Sequence, residues 1–142
     1  MALGIGLAAM DYATKYAQER VQFDKPIAMQ QAIQWMIADS EMELRAARLL
    51  TYQAAWQSDF GRDAKIDASI AKVMATETAG RVVDRCIQIL GGMGVTHELP
   101  LERWYREMRI KRIGEGPSEV HRMVVARHLL GTGPRKPGKA DT

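Results

Sequence analysis

Residues 31 to 54, QAIQWMIADSEMELRAARLLTYQA, decide the fold. Apolar side chains recur there at Ile33, Met36, Ile37, Leu44, Ala47, Leu50 and Ala54, the three-to-four spacing that lines up one face of a helix. Pro26 disfavours helix at Lys25, and the turn-forming run Ser58-Asp-Phe-Gly-Arg-Asp63 closes the segment. The predicted helix is about 29 residues long, or roughly 45 Å at about 1.5 Å per residue. That is well beyond an average globular helix and suits a long bundle.

The flanking segments repeat the pattern. Residues 2 to 19 carry Ile5, Ala9, Tyr12 and Tyr16 at helical spacing, interrupted early by Gly4 and Gly6, and the helix is expected to end near Arg20. A third helix is predicted through Ile70, Met74, Thr78, Val82, Cys86 and Ile89, stopping at Gly91-Gly92. A short fourth is expected from Leu101 to Met108, and a fifth from Pro117 to Leu130, ended by Gly131. No strand is convincing. Long helices joined by short turns predict an all-α, up-and-down antiparallel bundle of the four-helix type over residues 1–130, with a shorter terminal helix against it.

A chain of 142 residues can bury one core, and its 46% apolar and 26% charged composition is ordinary for a globular protein. No run approaches the roughly 20 apolar residues of a membrane span, so membrane insertion is not expected. The apolar opening Met1–Met10 lacks the basic segment of a signal peptide and is read as structure, which makes the expected location cytoplasmic. The single cysteine, Cys86, excludes an internal disulfide and a cysteine-based zinc cluster, and its place on an apolar helix face marks it as core. Net charge is only +3, with basic residues interleaved with Asp39, Glu41 and Glu43, and aromatics are 6% of the chain; nucleic acid is not the expected partner. Residues 131–142, rich in Pro, Gly and Lys, are expected to be a disordered tail.

Several chemistries fail on spacing. His97, His121 and His128 do not make an HExxH-type metal set and are expected at the surface. Ser118 lacks a nucleophile elbow. Gly91-Gly-Met-Gly94 has neither the preceding strand nor the GxGxxG spacing of a Rossmann loop; it reads as a helix C-cap or as backbone that a flat or anionic ligand can approach. The run Arg112-Ile-Gly-Glu-Gly-Pro-Ser-Glu-Val-His-Arg122 stands apart, because it puts one carboxylate, Glu115, between glycines at the mouth of a helix. Pro117 suits the first helical position and Gly116 the N-cap. Alone, such an acid reads either as a dipole-stabilising cap or as a base.

Three patches stand in order along the chain: Arg20-Val-Gln-Phe-Asp-Lys-Pro-Ile27 with Gln30-Gln31, Gln88-Ile-Leu-Gly-Gly-Met-Gly-Val95, and Glu115-Gly-Pro-Ser-Glu-Val-His-Arg122. Together they closely resemble the C-terminal helical domain of the acyl-CoA dehydrogenases, over almost the whole chain from Leu3 to Leu130. The resemblance implies FAD as cofactor, with Arg20 and Phe23 on the adenosine-diphosphate half of a neighbouring subunit's flavin and Gln88, Gly91 and Gly92 lining the same dinucleotide. A guanidinium binds pyrophosphate bidentately, an aromatic ring packs on adenosine, and glycines admit backbone, so these residue types fit that ligand. Gln31, Pro117 and Glu119 complete the implied cofactor contacts.

Glu115 matches the family's base, which takes the α-proton of a fatty acyl-CoA while hydride leaves the β-carbon for flavin N5. The base gains strength as the bound acyl chain excludes water. The implied partners are an acyl-CoA substrate, an electron-acceptor protein, and further copies of the chain in a homo-dimer or homo-tetramer. Two departures stand out. Asp24 replaces a glycine of many members, and Gly114-Glu-Gly-Pro117 replaces aromatic-Glu-Gly-Thr, removing a ring and a hydroxyl beside the flavin and giving wording closer to branches that take long or unusual acyl chains. Whole members also carry an N-terminal helical domain and a middle β-domain, so this chain is expected to be either part of a longer enzyme or a reduced member of the family. The alternative is a non-catalytic helical oligomerisation module derived from that domain.

Overall fold

A computed structural model describes residues 1–132. It contains α1 (Ala2–Glu19), β1 (Val21–Gln22), β2 (Lys25–Pro26), a 3-10 turn at Ile27–Met29, α2 (Gln31–Asp59), α3 (Lys65–Leu90), a second 3-10 turn at Gly91–Val95, α4 (Leu101–Lys111) and α5 (Ser118–Leu129). The expected all-helical bundle is what forms, and α2 has the expected length of 29 residues. Of the tail expected over 131–142, residues 133–142 lie outside the described residues. Among the described residues, no helix is long and apolar enough to cross a membrane.

Side-chain contacts fix the helix directions. Gln53 Nε2 donates to Asp67 Oδ1 at 3.0 Å near one end of α2, and Arg81 and Arg85 both donate to Glu43 further along, so α2 runs antiparallel to α3. Burial opposes ionisation of Glu43, yet hydrogen bonds from Arg85 and Arg81 and their charge hold its carboxyl below the ordinary glutamate range. Helix α1 runs with α3: its start shares a cleft with Lys72 and Thr76, its end another with Leu90 and Met93.

The core confirms the series on α2, all seven members being at least half-buried, and the series on α3, where Thr78, Val82, Cys86 and Ile89 are fully or almost fully buried. Burial pushes the Cys86 thiol up to about 12. Helix α1 differs from expectation. Its buried seam is Gly6, Ala9, Ala13 and Ala17, whereas Tyr12 is 40% exposed and its ring lies against Trp104 at 6.0 Å. Gly6 interrupts nothing: a Cβ there would stand 2.8 Å from Leu44 Cδ2, so the missing side chain is what lets α2 approach.

Two strands form where none was expected. Val21 pairs with Pro26 and Gln22 with Lys25, leaving Phe23-Asp24 as a two-residue turn with φ of 54° and 62°. Positive φ at both central residues is the hairpin geometry that matches strand twist. Asp24, where many relatives were expected to have glycine, takes that conformation, consistent with the tolerance of aspartate for it.

Candidate active site

The Glu115 turn begins where α4 runs out of helix. Ile113 and Gly114 N–H groups both donate to the Ile110 carbonyl at 2.9 Å, then Glu115 takes φ 57° and Gly116 φ 93°. Two consecutive left-handed residues reverse the chain and leave the Glu115 side chain exposed. For a non-glycine residue this conformation costs on the order of 1–3 kcal/mol and persists only where surroundings impose it. Helix α5 starts one residue later than expected: Pro117, at ψ 153°, is the N-cap and Ser118 the first helical residue. Gly116 is needed for its positive φ, and a Cβ on it would meet His121 Nε2 at 3.0 Å.

The surroundings that impose the turn are not adjacent in sequence. Lys72 Nζ on α3 donates to the Gly116 carbonyl at 2.6 Å and lies 3.4 Å from that of Arg112. The same Arg112 carbonyl accepts the Ser118 N–H at 3.0 Å and the Ser118 hydroxyl at 3.4 Å. Glu77, with its side chain 14% exposed, pairs with Arg112 at 3.1 Å and Arg122 at 3.4 Å, tying both sides of the turn to α3. Burial opposes ionisation of Glu77, but the Ser118 hydroxyl and the charges of Arg112 and Arg122 outweigh it and hold the carboxyl below its ordinary value. His121 is half-buried rather than on the surface as expected. Its Nε2 lies 3.3 Å from the Glu115 carbonyl, and its Nδ1 is buried without a partner among the described residues.

Glu115 faces a cleft of about 260 Å³ that it shares with Lys72, Thr76, Lys111 and the start of α1. Glu119 is exposed in the first turn of α5, where a negative charge suits the helix N-terminus. Ser118, set aside as a nucleophile, is buried and committed to structure. Among the described residues, no group of three His, Cys, Asp or Glu could hold a metal ion.

Arg20, Phe23, Gln31, Gln88, Gly91 and Gly92 gather at the other end of the bundle. Arg20 caps α1, and its carbonyl accepts the Ile27 N–H at 2.8 Å, closing the base of the hairpin. Its guanidinium makes no ion pair or side-chain hydrogen bond among the described residues. Phe23 sits at the hairpin tip, 87% exposed. Gln31 opens α2, and the exposed Gln88 lies in the last turn of α3. Gly91 caps α3 at φ 58°; a Cβ on Gly92 would meet nothing within 4 Å. Gly94, singled out in the sequence only as part of its run, is the tight one, since a Cβ there would stand 2.8 Å from the Ile87 carbonyl oxygen and 2.9 Å from Ile87 Cα. From Lys72 to Gln88 is 16 positions of α3 (88 − 72), about 24 Å of helix. The carboxylate and the second cluster are therefore separate places in one chain.

The family model for the acyl-CoA dehydrogenase C-terminal domain matches residues 1–130. The chain belongs to the acyl-CoA dehydrogenase family. The 3-(aryl)acrylate reductase of Clostridium sporogenes is 49% identical over 129 residues, 91% of this chain and 34% of that protein. The structure of butyryl-CoA dehydrogenase from Megasphaera elsdenii superposes with a TM-score of 0.89 at 43% identity, over 91% of this chain and 34% of that one. PigA, in a structure with FAD and proline, also gives a TM-score of 0.89, at 31% identity over 93% of this chain and 34% of that one. The chain thus spans about a third of the length of the acyl-CoA dehydrogenase relatives it matches.

Proposed function

We propose that this chain is the base-supplying, FAD-binding domain of an enzyme that interconverts an acyl-CoA and its α,β-unsaturated form, with Glu115 as the base. The observation that carries this reading is an exposed carboxylate held in a strained turn at a cleft, with His121 at its own carbonyl, Lys72 at the Gly116 carbonyl and Glu77 paired with the side chain of Arg112. Functional sites are where such strain concentrates. A carboxylate within hydrogen-bond reach of the thioester α-carbon removes its proton; general-base catalysis of this kind contributes roughly 10²–10⁴-fold. In the reverse direction the same carboxyl returns that proton, which accommodates a relative named as a reductase. The acyl group is proposed to be short or aryl-substituted, after the relatives just named, and not the long chain suggested by the Gly114–Pro117 wording.

The second cluster has the chemistry of a dinucleotide site. Arg20 offers a free guanidinium to pyrophosphate, Phe23 a bare ring to adenine, and Gly92 an open backbone that intrachain packing does not require. FAD, when bound, supplies the acceptor for the β-hydride. Because this cluster lies so far from Glu115, we assign it to the flavin of a neighbouring subunit. Gln31, Gln88, Gly91, Pro117 and Glu119 are proposed as further cofactor contacts, and a protein acceptor takes the electrons onward.

Association has its own support. Trp35, Met42, Leu49 and Trp56 are exposed at seven-residue intervals along α2, an apolar stripe of the kind helices use to pair. The same stripe favours the second reading, a helical module kept for oligomerisation. The purified protein mixed with FAD distinguishes them: bound yellow flavin that bleaches on adding butyryl-CoA, with bleaching lost in Glu115→Gln and flavin retained, is the expected result. A colourless protein in a stable dimer or tetramer would support the module instead.

A further inference from the structure

The α3 lysine under the Glu115 turn has no role in the chemistry described so far, yet both hydrogen bonds of its ammonium go to that turn. Lys72 reaches across 44 positions of sequence to the Gly116 carbonyl and 40 to that of Arg112, at 2.6 and 3.4 Å. Those two carbonyls bracket the segment that carries Glu115. We propose that Lys72 is the positioning residue of the base: its ammonium holds the two ends of the turn together and thereby sets the direction in which the Glu115 carboxylate points. The proposal rests on Glu115 being the base.

The physical case has three parts. An ammonium is a compact donor with three N–H groups and can serve two carbonyls at once, where an apolar side chain of similar length would leave the Gly116 carbonyl unserved and the Arg112 carbonyl to Ser118 alone. Hydrogen bonds from a charged donor are about twice as strong as neutral ones, which suits a turn with a non-glycine residue at φ 57° and a glycine at φ 93°. The other ties act at the margins. Glu77 grips Arg112 and Arg122 by their side chains, and His121 meets the Glu115 carbonyl only at 3.3 Å, so among the described residues the Gly116 carbonyl accepts from Lys72 alone. Without Lys72 the reversal can relax toward ordinary backbone angles, and relaxation there swings the carboxylate.

The test pairs Lys72→Met with Lys72→Arg in the FAD-loaded protein. In Lys72→Met, amide exchange at Gly114 and Ser118, whose N–H groups close the turn, should accelerate about tenfold or more, while amides in the middle of α3 keep their protection. Turnover should fall roughly 10–100-fold with KM within about twofold, the signature of a misplaced catalytic group and not of lost substrate binding. Lys72→Arg, which keeps charge and several donors, should recover most of both. Should Lys72→Met fail to fold, Lys72→Gln carries the same comparison with uncharged N–H donors on a shorter side chain, and intermediate exchange is expected. Unchanged exchange at Gly114 and Ser118 overturns the proposal, as does equal loss across all of α3, which would make Lys72 a general stability residue. Glu115→Gln separates the two claims: if it turns over normally the base reading falls, while the exchange data still report whether Lys72 holds the turn.

Discussion

Replacing Glu77 with glutamine tests how the site is fastened to the bundle. The glutamate stands between Arg112 and Arg122 with its side chain 14% exposed, while the two arginines are 38% and 55% exposed. Breaking a fully buried pair costs about 3–5 kcal/mol, and an exposed pair is worth about 0.2–1 kcal/mol. With one buried partner and two wetter ones, Glu77→Gln should cost about 1.5–3 kcal/mol at pH 7, seen as a lower urea midpoint with an unchanged slope. The pH dependence follows from the direction of the shift. The folded-state value of Glu77 lies below its ordinary 4.5, so its charge contributes stability that is fully present above about pH 4.5 and is lost as the pH falls through the depressed folded value. The gap between wild type and Glu77→Gln should therefore be constant from pH 8 to 5.5 and narrow below 4.5. A gap under about 0.5 kcal/mol at pH 7 would show that solvent screens the pair. One equally wide at pH 3 would show that shape, and not charge, is at work.

Other substitutions probe the rest of the molecule. Gly94→Ala should destabilise by about 1–3 kcal/mol in thermal or urea unfolding, because the new Cβ would press on the Ile87 backbone, which cannot turn aside as a side chain can. Phe23→Ala should leave unfolding within about 0.5 kcal/mol of wild type, since the ring is 87% exposed, yet weaken flavin retention in equilibrium dialysis. Cys86, buried and with its thiol raised to about 12, should resist a thiol-specific reagent at pH 8 in the folded protein and react promptly in denaturant.

What the sequence revealed and what it hid divide along physical lines. The bundle was legible because apolar residues repeat at helical spacing and because Pro26, Gly61 and Gly91 interrupt the pattern where the chain turns. The carboxylate at the mouth of α5 was legible too, since Gly116-Pro117 punctuates the chain so strongly, although the helix begins at Ser118. The hairpin was missed because Phe23-Asp24 is not a pair that advertises positive φ, as Asn-Gly would; the bundle imposes it. The small-residue seam of α1 was missed because alanine and glycine weigh little in a hydrophobic pattern, although at Gly6 smallness is what packing demands. Lys72 and Glu77 stayed hidden for a different reason: their contacts cross 35 to 45 positions (112 − 77; 122 − 77), and nothing local in a helix marks a polar residue that faces another helix rather than water.

Solvent exchange at the substrate α-carbon tests the role of Glu115 most directly, because it reports proton removal apart from the later electron steps. The FAD-loaded protein, incubated in heavy water with a saturated acyl-CoA whose α-protons are followed by NMR, should catalyse α-deuteration or desaturation. Glu115→Gln should slow both by roughly 10²-fold or more while keeping flavin bound. Wild-type α-proton loss in the glutamine variant would contradict the account.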